Sequence, residues 1–257
     1  MQKSFCCHYD DTLLKDRQFT LPARQVALEN KKEEGMKIRI SSFMVLLSII
    51  VLLAGCASGP KSIEGLESSS KLQASTEFPQ ALVYKKDGVN GKKYVKFIFD
   101  PVEIYSGADA QFNNASEADK KVIADFIKSE FTRVIQGKYP IVDKPAPDVL
   151  RIKFTLAGIE LTKPALATAM RVTPVGLAMN LGKSAAGMSG SFMGSVTLSG
   201  EFYDSETNGL VFAFLTKRGP NAMDVTTMMS GLDAAKKAVT EIADKFKENI
   251  DIIQSKK

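Results

Sequence analysis

The sequence has no tryptophan, one histidine and three cysteines. The histidine and two of the cysteines stand together as Cys6-Cys7-His8. A chain beginning after them keeps only Cys56, which leaves no ligand set for a zinc centre. The same shortage excludes Ser-His-Asp and Cys-His catalysis and a disulfide framework. An excess of one charge is also lacking. With 34 Lys or Arg against 29 Asp or Glu, the net charge is +5, too balanced to mark a nucleic-acid binder. The apolar run Phe43–Ala54 has 12 residues, short of the about 20 that span a bilayer as a helix. What is present, 44% hydrophobic and 25% charged residues, describes an ordinary folded protein rather than a disordered or collagen-like one.

The apolar run has a particular setting. Met36-Lys37-Ile38-Arg39 supplies two cations before it, and small residues end it. That is the layout of a secretory signal. Its end, Leu53-Ala54-Gly55-Cys56, resembles the lipobox of bacterial lipoproteins. The resemblance implies diacylglyceryl transfer to the Cys56 thiol, cleavage before Cys56 and acylation of the new amino terminus. Several acyl chains, at about 0.8 kcal/mol per buried methylene, make such an anchor permanent. Ala57 and Ser58 follow Cys56. Without Asp after the cysteine, the sorting rule of this lipoprotein class implies the periplasmic face of the outer membrane.

Residues 1–35 lie upstream of this signal, non-periodic, with six Lys or Arg and six Asp or Glu. Met36 is the expected start of translation, and Lys32-Glu33-Glu34-Gly35 reads as a purine-rich ribosome-binding site translated in error. On this reading 36–55 is the signal peptide, and 56–77 is the lipidated cysteine with a flexible tether. A single periplasmic domain occupies 78–257. Gly59-Pro60 and Ser68-Ser69-Ser70 mark the tether, whose roughly 20 residues would reach about 25 Å.

Within the domain, Leu82-Val83-Tyr84 reads as a short strand. Tyr94–Tyr105 is strand-rich and broken at Pro101. Ser116 and Asp119 form an acidic variant of a capping box. After them Val122, Ile123, Phe126, Ile127, Phe131, Val134 and Ile135 recur at helical spacing until Gly137. Leu150, Ile152, Phe154 and Leu156 alternate with polar residues, as do Val196, Leu198 and Phe202 before the Asn208-Gly209 turn and the return strand Leu210–Leu215. A last helix from about Leu232 carries Ala235, Val239, Ile242, Phe246, Ile250 and Ile253 on one stripe. The order predicts an α+β fold: a mixed β-sheet of about five strands with two amphipathic helices packed on one face. The strand–helix–strand part predicts a parallel pair.

Candidate chemistry is sparse. Gly182-Lys183-Ser184 lacks the earlier glycine of a P-loop, because Leu177 stands where it is needed. Ser68-Ser69-Ser70-Lys71 fits S-x-x-K but falls in the tether. Gly187-Met188-Ser189-Gly190-Ser191 matches a nucleophile elbow only loosely. Carboxylates remain: Glu201, Asp204 and Glu206 at the hairpin, and Asp100 and Glu103 about Pro101. Held as a pair they could hydrolyse a cell-wall glycan. Otherwise Asp204 and Glu206 are turn residues and Glu201 faces water. Lys85, Lys86, Lys92, Lys93 and Lys96 form a solvated hairpin, with an anionic glycan as the sharper alternative. The segment 164–194 mixes Met and Gly. It reads as a buried connection with a short helix near Val175–Ser184. Alternatively Met170, Val175, Leu177, Met179, Met188 and Met193 make an adaptable surface for a partner, a ligand or the membrane.

The lipobox, Pro174-Val175-Gly176-Leu177 through Ser184-Ala185-Ala186-Gly187, Gly194-Ser195-Val196 and Glu201-Phe202-x-Asp204-x-x-Thr207-x-Gly209 together resemble the bacterial lipoproteins grouped as domain of unknown function 3313. The likeness covers most of Phe78–Ile253. Asn208, between Thr207 and Gly209, departs from the pattern by one turn residue. The resemblance brings no activity and no catalytic residue. The expectation is therefore a lipid-anchored, non-enzymatic envelope domain that binds or scaffolds an envelope protein or glycan. It needs no cofactor, metal or nucleic acid, and its oligomeric state is open. The alternatives are a carboxylate-dependent glycan hydrolase and a carrier of an apolar ligand.

Overall fold

Ser116 opens the first long helix as its spacing predicts. In the structure, a computed structural model that describes residues 60–78, 80–163, 165–166, 172–185, 194–220 and 231–255, the Ser116 hydroxyl accepts from the Asp119 amide at 3.1 Å. The Asp119 carboxylate accepts from the Ser116 amide at 2.9 Å. This reciprocal cap starts α1 (Glu117–Ile135). Beyond it Gly137 adopts φ +90°, a left-handed exit that suits glycine. Ile123, Ile127, Phe131, Val134 and Ile135 point inward. Val122, assigned to the same stripe by spacing, is 43% exposed: it lies one residue before Ile123 and so falls on the shoulder of the buried arc.

The strands are β1 (Gln73–Ala74), β2 (Ala81–Lys85), β3 (Lys96–Phe99), β4 (Glu103–Ile104), β5 (Val149–Glu160), β6 (Ser195–Asp204) and β7 (Leu210–Arg218). They form one seven-stranded sheet in the order β1-β2-β7-β6-β5-β3, with β4 also beside β5. The fold is α+β and the sheet is mixed and open. Among the described residues it has two more strands than the five expected: the two-residue β1 carries too little pattern to be read, and the break at Pro101 sets β4 apart from β3. As predicted, β3 and β5, which flank α1, pair in parallel. The β5–β6–β7 meander is antiparallel.

One face of the sheet is closed by α1 and by α3 (Asp233–Ser255). Its core is aromatic. Phe131 of α1 lies 4.1 Å from Phe154 of β5, and 5.4 Å from Phe246 of α3, between ring centroids. Phe202 reaches Phe246 at 5.7 Å. Gly200 makes this packing fit: a Cβ there would stand 2.5 Å from the Phe214 ring.

The other face departs from expectation. Every residue of β6 is buried, polar ones included. The cover is the part of the expected tether that the structure describes. Ile63 and Ser68 are fully buried and Leu66 nearly so. Tight turns link Leu66 to Ser69 and Ser68 to Leu72, and the Ser69 hydroxyl donates to the Ile63 carbonyl. From Pro60 the chain is thus a packed strap, not a flexible linker. Ile63 and Leu66 lie three apart and need a surface, and Ala157 and Leu215 on the sheet provide one.

Between β5 and β6 runs a third helix, α2 (Pro174–Ala185). The helix was expected; its burial was not. Val172 and Val175 are 75% and 73% exposed, and Leu177, Met179 and Leu181 are also exposed. The buried connection is therefore corrected to an exposed apolar helix.

Candidate functional site

The strap crosses the sheet from one pole to the other. Ile63 packs with Ala157 and Leu215, close to where β5 ends, β6 begins and β7 ends. Leu72 packs against this cluster and also against Tyr203, Leu210 and Ala213, toward the opposite end. Between these anchors it is held by polar groups. The Glu64 amide donates to Asp109 at 2.9 Å, and the Gly65 amide donates to the Tyr105 hydroxyl at 3.2 Å. That hydroxyl in turn donates to Asp109 at 2.6 Å.

The centre of this arrangement is Glu201. Alternation along β6 sends Phe202 to the helical core and Glu201 to the strap face. There it is 2% exposed, which corrects the reading that it faces water. Its Oε1 accepts from the Ser68 amide at 2.7 Å. The Tyr203 hydroxyl stands 3.2 Å from Glu201 Oε2 and 2.9 Å from Glu67 Oε2. A hydroxyl has one proton, so it donates to one carboxylate at a time. Burial first, then the nearby Glu201 charge, pushes the Tyr203 phenol far up and keeps it protonated. The Ser68 hydroxyl is buried with no hydrogen-bond partner among the described residues.

Beside Glu201 opens a small polar cleft of about 160 Å³, lined by Glu67, Glu103, Tyr105, Lys153 and Thr155 among others. Glu103 is paired with Lys153 at 3.1 Å, and Asp100 with Arg151 at 2.9 Å. Ligand pockets commonly hold about 300–1,000 Å³, so this cleft admits only something very small. A larger hollow, about 660 Å³, is an open depression along the outer side of α1 near Asp125 and Arg133.

The other predicted carboxylates fall elsewhere. Asp204 closes the β6–β7 turn, where its Oδ1 accepts from the Thr207 amide and hydroxyl, each at 3.0 Å. Its Oδ2 accepts from Lys93 at 2.6 Å and from Tyr94 at 3.0 Å. The Lys93 ammonium, then the Thr207 amide, hold its carboxyl well below the usual range. Glu206 is exposed in the same turn. Thus Asp204 and Glu206 are turn residues, and neither joins Glu201. Lys85, Lys86 and Lys92 are solvated, while Lys93 and Lys96 pair with Asp204 and Asp148.

Of the predicted surface residues, Val175, Leu177 and Met179 stand exposed on α2. Met170, Met188 and Met193 lie outside the described residues, as do Leu53, Ala54, Gly55 and Cys56. Sequence reasoning missed Glu67, Ser68 and Tyr203 as partners of Glu201. The signal was Ile63, Leu66 and Leu72, three large apolar residues in an otherwise polar stretch.

The sequence profile of a family described as "Protein of unknown function (DUF3313)" matches residues 62–246. The match begins inside the strap, earlier than the Phe78 boundary drawn from composition. No curated protein matches the chain. Similar solved structures include the PelC dodecamer from Paraburkholderia phytofirmans, at 9% identity and TM-score 0.33, over 64% of this chain and 96% of that one. A DUF4136 family protein from Bacteroides thetaiotaomicron is 10% identical with TM-score 0.32, over 69% of this chain and 97% of that one. Likeness at these scores says nothing about binding, catalysis or assembly.

Proposed function

The chain belongs to the DUF3313 family, and we propose that it is a lipid-anchored envelope protein whose folded domain binds or scaffolds a partner without catalysis. The anchor is Cys56, in the Leu53-Ala54-Gly55-Cys56 lipobox, and the address is the periplasmic face of the outer membrane. The observation that carries the reading is a spacing. Three residues separate Cys56 from Pro60, which is already buried on the domain. Four peptide steps reach at most about 14 Å. Lipid on Cys56 therefore holds the domain against the membrane surface instead of floating it on a long leash.

What favours binding over hydrolysis is the state of the carboxylates. Glu201 serves the Ser68 amide, Asp100 and Glu103 serve Arg151 and Lys153, and Asp204 serves its turn. A glycan hydrolase needs two carboxyl groups open to a sugar chain. Here Glu201 is a clamp that holds the strap to the sheet.

Growth on an alkyne fatty acid should label the protein and fractionate it with the outer membrane, and Cys56→Ser should abolish both. Unchanged labelling or fractionation in Cys56→Ser removes the anchor from the proposal. Crosslinking in intact cells, read by mass spectrometry, should trap an envelope component. Hydrolysis of cell-wall glycan by the purified protein, lost in Glu201→Gln without unfolding, overturns the non-enzymatic part.

A further inference from the structure

The helix α2 is inside out. At 100° per residue, Gly176 and Asn180 fall on one side, and they are its buried residues. The remaining arc carries Val175, Leu177, Met179 and Leu181, all exposed, with Ala178, Gly182 and Ala185 between them. No charged residue lies on that arc, and the one charge of the helix, Lys183, sits in its last turn. A water-facing helix puts its polar residues outward. This one does the reverse, so a contiguous apolar surface faces outward.

Its place in the fold names the occupant. Both connections of α2 to the sheet, after Glu160 and before Ser195, leave from one pole. The strap starts at that same pole, with Ile63 against Ala157 and Leu215. Cys56 is seven residues before Ile63, within about 25 Å even if fully extended. The solvated lysines around Lys92 and the Asp204 turn lie at the far pole, where β5 starts and β6 ends. The apolar helix and the lipidated end thus leave the sheet together.

We infer that the outer face of α2 lies in the headgroup–acyl boundary of the bilayer that holds Cys56, as a second, non-covalent contact. This rests on the anchoring reading above. With 12 residues the helix is about 18 Å long, too short to cross but long enough to lie in the interface plane. A second copy of the chain is the weaker occupant. A strip about 18 Å by 10 Å offers roughly 180 Å², far below the about 800 Å² per partner of a stable interface.

The test uses the full chain, processed and lipidated so that Cys56 carries the lipid, with a nitrobenzoxadiazole label attached through Val175→Cys, Met179→Cys or, as control, Glu206→Cys. Lipidated protein goes into phosphatidylethanolamine–phosphatidylglycerol vesicles with and without doxyl-labelled lipid. Emission at positions 175 and 179 should shift to the blue and be quenched by doxyl lipid, while position 206 stays water-like. Acylated protein whose labels at 175 and 179 match 206 overturns the inference and leaves the anchor standing. So does shielding that ignores doxyl lipid and grows with protein concentration, the mark of a second copy. Loss of acylation at Cys56 overturns both readings, and fatty-acid labelling of the same sample reports it separately.

Discussion

The two faces of the sheet are closed by opposite means. On the helical face, α1 and α3 press aromatic rings onto Phe154 and Phe202, and stability comes from buried apolar area. On the strap face, ten residues cover polar strand positions, and they are held by a few apolar plugs and by Glu201, Tyr203 and Asp109. The first closure tolerates no loss of volume. The second tolerates no loss of a partner, since a buried amide without its acceptor costs more than the bond itself contributes. A sheet can therefore be capped cheaply in chain length, provided directed bonds replace bulk.

The widest gap between the faces should appear on Phe154→Ala. The ring contacts Phe131 and Phe202, and its removal should cost about 3–5 kcal/mol in denaturant unfolding. A loss below about 1 kcal/mol would contradict the aromatic core. Next comes Glu201→Ala, which strands the Ser68 amide and should cost about 1–3 kcal/mol. Hydrogen exchange sharpens the comparison: Ser68 should lose protection in Glu201→Ala and keep it in Glu201→Gln, which retains an acceptor, while amides of α1 stay protected in both. Equal deprotection of α1 would mean that the two closures are not separable.

The smallest effect belongs to Asp204, and it fades in acid. Its folded carboxyl titrates well below the normal range because of Lys93 and the Thr207 amide. The unfolded value is about 3.9. A depressed folded pKa gives stability that is complete above the unfolded value and drains as pH falls toward the folded one. Asp204→Asn should therefore flatten the acid limb of the stability curve below about pH 4. A parallel limb in the variant would dismiss the Lys93–Asp204 pair as a contributor.

The same contrast explains what could be read in advance. The helical face was legible because its signals are local: the Ser116–Asp119 cap, the 3.6 period of α1 and α3, and the alternation of β5 and β6. The strap was not, because its reason to fold lies 133 residues away in Glu201. Alternation shows which side of β6 is polar but not whether anything covers that side, so Glu201 was placed in water. For α2, Val, Leu, Met and Ala at helical spacing specify a helix, yet an all-round apolar composition does not say which way it faces. The carboxylate list from the sequence contained the important residue and missed its partners, because Glu67, Ser68 and Tyr203 converge only in three dimensions.

The strap also sets an order of events. It is made before the strands it covers, since β5, β6 and β7 come at least 77 residues later than Leu72. Long-range pairing of this kind closes slowly. The strap thus waits, uncovered and unpaired, until those strands have formed. Once β6 and β7 arrive and the Ser68 amide meets Glu201, the polar side of the sheet closes last, as a latch rather than a seed.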